Sequence, residues 1–169
     1  NYNPAFHKIP SACITNDLLI QKYSESGFPV IMSTGMSTVD EIDNAVSILE
    51  NNRAEYALLH CTSTYPCPIS QINLKVIKTM KKKYNVPIGY SGHETGLIPT
   101  IASAALGASI IERHITLDRS MWGSDQSASI EPGGLFRLVE GIRDIERALG
   151  SGKKRIYDEE KKIAAKLRL

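Results

Sequence analysis

Short apolar runs alternate with amphipathic stretches along this chain, and that alternation restricts its possible folds more than any other feature. The runs Phe6 to Ile14, Phe28 to Thr34, Tyr56 to Thr62, Val86 to Gly92 and Ser109 to Thr116 are partly β-branched and bounded by polar or glycine-rich turns, as buried parallel strands are. Between them, apolar residues recur at helical spacing. Val39, Ile42, Val46 and Leu49 follow a cap at Ser37; Ile72, Val76, Ile77 and Met80 follow one at Ser70; Leu97, Ile101, Ala104 and Ala105 follow one at Thr95. A shorter helix, Leu18 to Tyr23, fits behind Asn16. A final one opens at Glu131-Pro132, carries Leu135, Leu138, Val139, Ile142 and Leu149 on one face, and stops at Gly150.

Repeated β-α units with short connections require a parallel sheet with right-handed crossovers, either an open doubly wound sheet or part of a TIM barrel. The strand ends favour the barrel. Ser11, then Ser33 and Thr34, then Thr62 and Ser63, then Ser91 and His93, then His114 and Thr116 put a hydroxyl or imidazole at the end of every run. A barrel gathers all such ends at one mouth, whereas an open sheet concentrates its ligands at a switch point. The expectation is an α/β fold, a partial TIM barrel made of about five C-terminal β-α units with parallel strands. A complete barrel has eight units in about 250 residues, and this chain offers five in 169; three further units are expected ahead of Asn1. Residues 1–150 are expected to form the partial barrel, and the charged stretch 151–169, without a strand pattern, a linker or frayed helix.

Composition excludes several classes of partner. A formal net charge of +2 gives no reason to seek nucleic acid or a membrane surface, and no apolar run approaches the roughly 20 residues of a membrane span. No basic start followed by an apolar stretch and a small-residue cleavage site is present, so the chain reads as cytoplasmic. Cys13, Cys61 and Cys67 lie in or after apolar runs without CxxC spacing, and read as reduced thiols.

Two histidines carry the sharpest chemical signal. His93 and His114 sit at the mouths of consecutive strands, where their rings can reach one small volume and form half of a divalent-metal site; the bland alternative is that each bonds a neighbouring loop. His60 lies inside an apolar run and reads as a satisfied core histidine. The serines at the strand ends, with Lys8, suit a phosphate, because hydroxyls and one ammonium supply donors and charge. Glu112 shares strand parity with His114 and is expected beneath it, with Arg113 turned toward the helices. The polar stretch after the last strand, with the single tryptophan and Asp125, is suited to cover or bind a hydroxylated substrate at the mouth, and Tyr65 offers an amphipathic ring on another mouth loop.

Taken in order, KIPSA, STGMS, HCTSTYP, GYSGHETG, ERHITLD, GSDQSASIEP and ERALGSGKK resemble the sialic acid synthase family, the N-acetylneuraminate synthases that condense phosphoenolpyruvate with an N-acylmannosamine. The resemblance runs from Lys8 to about Lys154. It implies a TIM barrel, a divalent cation (manganese, with magnesium or cobalt as alternatives), and a homodimer in which an antifreeze-like domain of one subunit completes its partner's site. Carried over residue by residue, the metal ligands and catalytic histidines fall on His93 and His114. The phosphoenolpyruvate contacts fall on Lys8, Ser11, Ser33, Ser63 and Ser91, with Ser63 standing where some members have asparagine. Acceptor-sugar contacts fall on Tyr65 and Asp125. A family carboxylate near the acceptor falls on Cys13, which cannot carry that charge, so the acceptor could be N-acetylmannosamine, its 6-phosphate or another aldose such as mannose phosphate or a diacetamido sugar. The barrel units and antifreeze-like domain outside this stretch imply that the fragment alone is inactive, or is a noncatalytic half that pairs with another chain.

Overall fold

The computed structural model describes residues 4–168. Its strands β1 (His7–Ile9), β2 (Val30–Ser33), β3 (Tyr56–Cys61), β4 (Ile88–Gly92) and β5 (Ile111–Arg113) form one sheet in chain order, each neighbouring pair parallel. The helices α1 (Asp17–Ser24), α2 (Val39–Asn51), α3 (Lys75–Lys83), α4 (Ile98–Ala105) and α5 (Pro132–Leu149) alternate with them, and α6 (Asp158–Leu167) follows. Five parallel strands in sequential order with a helix after each are a half-barrel, one of the two arrangements the alternation allows.

The sheet is strongly curved. Across four strand spacings of about 4.8 Å, the edge strands of a flat sheet would lie about 19 Å apart. Yet Lys8 Nζ on β1 comes within 3.6 Å of Glu112 Oε2 on β5. Both side chains therefore point into one concave interior. The opposite, convex face packs Ile9, Val30, Met32, Leu58, Ile88 and Tyr90 against Ile20, Ile42, Val46, Leu49, Ile77 and Met80 of the helices, and this is the hydrophobic core. Strand pleating thus splits each strand by parity, apolar toward the helices and polar toward the interior near the mouth.

Several local boundaries differ from the sequence reading, each for a physical reason. The first run stops being a strand at Ile9, because Pro10 has no N–H for the ladder and opens a 3-10 turn, Ser11–Cys13. The last run keeps only Ile111–Arg113, with a single bridge from Ile115 to Ile130 beyond it. Asn16 caps α1 as expected, its Oδ1 accepting from Leu19 N. The other caps shift. Thr38, not Ser37, caps α2 in a reciprocal box with Glu41, while Ser37 donates to Gly35 O. Ser70 lies within a 3-10 turn and Thr95 in a loop, so α3 and α4 begin later, at Lys75 and Ile98, without side-chain caps.

Helix α5 begins at Pro132 and ends before Gly150, as read from the sequence, and packs against α4. Its apolar stripe is only partly covered. Leu138 is buried, but Leu135, Val139 and Leu149 stay exposed, and so does nearly all of α6. Among the described residues no helix is long and apolar enough to cross a membrane.

Candidate active site

The concave interior collects side chains of one parity from every strand. Lys8 Nζ donates to Ser33 Oγ at 2.9 Å and to Ile9 O at 3.2 Å, and Ser91 Oγ donates to Glu112 Oε2 at 2.8 Å. Glu112 therefore sits between the ammonium and the Ser91 hydroxyl, inside the barrel, where its parity with His114 placed it. Nearer the mouth, Gly35 N donates to Ser11 Oγ at 2.9 Å, and Ser11 Oγ donates to Cys61 Sγ at 3.5 Å. Ser63 Oγ lies 3.6 Å from the same sulfur. All five expected phosphate contacts, Lys8, Ser11, Ser33, Ser63 and Ser91, thus lie on this interior, in two hydrogen-bonded groups.

Gly35 makes the second group possible. A Cβ there would lie 2.8 Å from Ser11 Oγ and 3.0 Å from Cys61 Sγ, and would overlap Ser63 Oγ. The absent side chain leaves a cradle in which three polar heads and a backbone N–H pack against one another.

The two imidazoles meet beside this cradle. His93 and His114 have ring centroids 5.2 Å apart, edge to face, and the Tyr65 ring lies 4.1 Å from His93 and 5.6 Å from His114. Asp125 Oδ2 lies 3.5 Å from His114 Nδ1. His93 is buried, with Nδ1 2.9 Å from Thr62 O. A carbonyl can only accept, so Nδ1 carries the proton and Nε2 keeps its lone pair. Burial by itself lowers the basicity of His93, but Cys61, the Thr62 carbonyl and Glu112 outweigh it and hold the imidazole above its usual range. A carbonyl behind one ring nitrogen is the arrangement that fixes the tautomer of a metal-binding histidine.

The residues present fit a divalent cation in part. Two imidazoles with a carboxylate at one side suit manganese, cobalt or zinc. Among the described residues no three His, Cys, Asp or Glu side chains converge closely enough to enclose an ion. Two imidazoles would supply half of a coordination sphere and leave its other positions to substrate or water.

Two groups at the mouth carry no expected role from the sequence. Cys61 lies under the junction, 3.8 Å from His93 Nδ1 and touching both Ser11 and Ser63. Burial pushes its thiol up, but hydrogen bonds with His93, Ser11 and Ser63 prevail and hold it below the usual range. Its parity with Ser63, two residues on, was the available signal. The other group is a buried Glu94–Arg113 ion pair on the convex side of the same strands. His60 is buried with Nε2 2.7 Å from Ile72 O, a satisfied core histidine as read from its position. Cys13 lies in the 3-10 turn after Ser11 and packs against the core.

Residues 1–154 match the NeuB family. The chain belongs to that family. It is 43% identical over 155 residues to the N-acetylneuraminate-9-phosphate synthase of Homo sapiens, covering 91% of this chain and 43% of the relative. It is 41% identical over 158 residues to the N,N'-diacetyllegionaminic acid synthase of Campylobacter jejuni, covering 92% of this chain and 47% of the relative. The crystal structure of N-acetylneuraminic acid (sialic acid) synthetase from Leptospira borgpetersenii in complex with citrate superposes with a TM-score of 0.86 at 40% identity, over 97% of this chain and 59% of that one. This NeuB-family chain therefore spans less than half the length of those two curated relatives.

Proposed function

We propose that the protein carrying this chain condenses phosphoenolpyruvate with N-acetylmannosamine or its 6-phosphate to give a sialic acid and phosphate. The observation that carries this reading is the adjacency of the His93–His114 pair to the Gly35 cradle. An electrophile-binding pair beside an anion-binding group is what an enol phosphate and an aldehyde need to meet.

Each group then has a task. Lys8, Ser11, Ser33, Ser63 and Ser91 hold phosphoenolpyruvate by its phosphate and carboxylate. The side chains of His93 and His114 hold a divalent cation, manganese. When bound, the cation supplies Lewis-acid polarisation of the sugar's open-chain aldehyde. C3 of phosphoenolpyruvate forms the new bond to that aldehyde carbon, water adds at C2, and the C2–O bond breaks as phosphate leaves. The donors around the phosphate stabilise the charge that collects on it. Tyr65 and Asp125 face the acceptor: burial, then Cys61, Asp125 and Glu112 nearby, push the Tyr65 phenol up, so it stays a hydroxyl donor. The active assembly is a homodimer working in the cytoplasm.

A second acceptor has specific support. Cys13 stands where the family's charged contact falls, and a legionaminic acid synthase is nearly as similar as the human relative; a diacetamido hexose is the alternative substrate. The test is a phosphate-release assay on the protein carrying this chain, with phosphoenolpyruvate, manganese and each aldose in turn, and mass measurement of the product. Turnover with N-acetylmannosamine or its phosphate, abolished by chelation and by His93→Ala, is expected. Absence of phosphoenolpyruvate consumption with every N-acyl aldose overturns the reading.

A further inference from the structure

We propose that Arg113 is the positioning residue of the imidazole pair, fixing the distance between His93 and His114 from the opposite side of the sheet. The proposal deepens the function proposed above, and rests on it only where metal affinity is the readout.

The β4–β5 ladder ends at the pair Gly92 and Arg113. His93 and His114 are the next residue on each strand, just beyond the last paired position. Their carbonyls are tied to different loops, His93 O to Cys67 N at 2.9 Å and His114 O to Ile130 N at 2.8 Å. Neither bond joins one histidine to the other. Thr62 O and Asp125 orient the two rings singly; something else must tie the two backbones together once the ladder has stopped.

The guanidinium of Arg113 does so. Its Nη1 donates to Glu94 Oε1 at 3.2 Å, Thr100 Oγ1 at 2.8 Å and Gly96 O at 3.1 Å. Its Nη2 donates to the Glu94 carbonyl and to Ala128 O. Glu94 directly follows His93, and Arg113 directly precedes His114. One ion pair therefore clamps the neighbours of both histidines, and strand pleating turns those neighbours outward while the imidazoles face the interior. The bond to Ala128 O extends the clamp to the loop of Asp125, since Ala128 N donates to Asp125 O at 3.1 Å. Three segments, each carrying one polar group of the mouth, converge on a single side chain.

The construction is costly, which argues against an incidental contact: both Nη atoms are bonded, while the buried Arg113 Nε has no partner among the described residues. The Arg113 and Glu94 side chains are 2% and 0% exposed. Burying a charged pair is disfavoured unless its remaining hydrogen-bonding capacity is met. Here Tyr90 OH donates to Glu94 Oε2 at 2.9 Å and Thr100 Oγ1 to Glu94 Oε1 at 2.5 Å. Gly92 makes room, because a Cβ there would lie 2.6 Å from Glu94 Oε2 and 3.0 Å from Arg113 Cδ. An apolar pair of equal volume would fill the space as well, but could not bind the carbonyls of two loops. Lysine, a point charge with three donors and no planar fork, could not serve all five of these acceptors at once.

Arg113→Lys in the protein carrying this chain tests the proposal, against Leu49→Ala, a fully buried truncation in α2, as a control for lost stability. Metal-free crystal structures read the ring separation directly, and titration with manganese followed by electron paramagnetic resonance reads affinity. Arg113→Lys is expected to move the ring centroids from 5.2 Å and to weaken manganese binding by about tenfold or more. Leu49→Ala, with an equal or larger drop in melting temperature, is expected to change neither. Unchanged ring separation in Arg113→Lys, or equal losses in Leu49→Ala, overturns the proposal. Failure of the parent to bind manganese, with ring separation responding as expected, refutes the metal reading while the positioning role stands.

Discussion

Gly35 and Tyr65 show how much of the mouth depends on single atoms. At Gly35 an added methyl group would occupy the space between Ser11 Oγ, Ser63 Oγ and Cys61 Sγ, so Gly35→Ala displaces the cradle instead of unfolding the strand. The expected outcome is a fall in kcat/KM for phosphoenolpyruvate of roughly tenfold to a hundredfold, with the melting temperature nearly unchanged. Steady-state kinetics with the aldose saturating checks it. Tyr65 has two separable features, a ring packed at a tilt against His93 and a hydroxyl that the proposal assigns to the acceptor. Tyr65→Phe keeps the first and removes the second. It should raise KM for the sugar while leaving KM for phosphoenolpyruvate and manganese affinity alone, whereas Tyr65→Ala should disturb all three. Equal effects of the two variants would remove the hydroxyl from the acceptor site.

At the scale of elements, the helix starts separate what local chemistry controls from what packing controls. Helix α2 is capped reciprocally by Thr38 and Glu41, with Glu41 N donating to Thr38 Oγ1 and Thr38 N to Glu41 Oε2. Thr38→Ala should cost about 1 kcal/mol in a denaturation experiment. The backbone N–H and then the hydroxyl of Thr38 hold the Glu41 carboxyl below the usual glutamate range. A carboxyl depressed in the folded state stabilises at pH above its unfolded value and loses that contribution as pH falls through the folded one. Glu41→Gln should therefore lower the melting temperature most at neutral pH and least in acid, flattening the acid limb of the profile below about pH 4.5. Helices α3 and α4, which lack side-chain caps, owe their starts to Ile77 and Met80, and to Thr100 and Ser103, buried against the sheet. That is why Ser70 and Thr95, plausible caps by residue type, are not used.

The molecule as a whole is an arc with two open rims. Strands β1 and β5 have unpaired outer edges among the described residues, and the stripe of α5 carrying Leu135 and Val139 is uncovered beside β5. Unpaired edges of this kind call for a partner strand. The 169-residue polypeptide by itself should release phosphate from phosphoenolpyruvate at a small fraction of the rate of a full-length family member; comparable rates would show that the half-barrel suffices. What the residues alone determined was the alternation, the parallel sheet and the convergence of polar strand ends. Those follow from period and parity, which are local properties of a chain. The placement of His93, His114, Lys8 and the four serines was legible for the same reason, since each lies in a strand or within two residues of its end. Cys61, Gly35 and the Arg113 clamp were not legible as parts of a site. Their roles come from distances between segments far apart in the chain, such as 50 residues from Ser11 to Cys61, and from the space a missing side chain leaves. Period and parity say which way a side chain points; only the curvature of the assembled sheet sets what it meets.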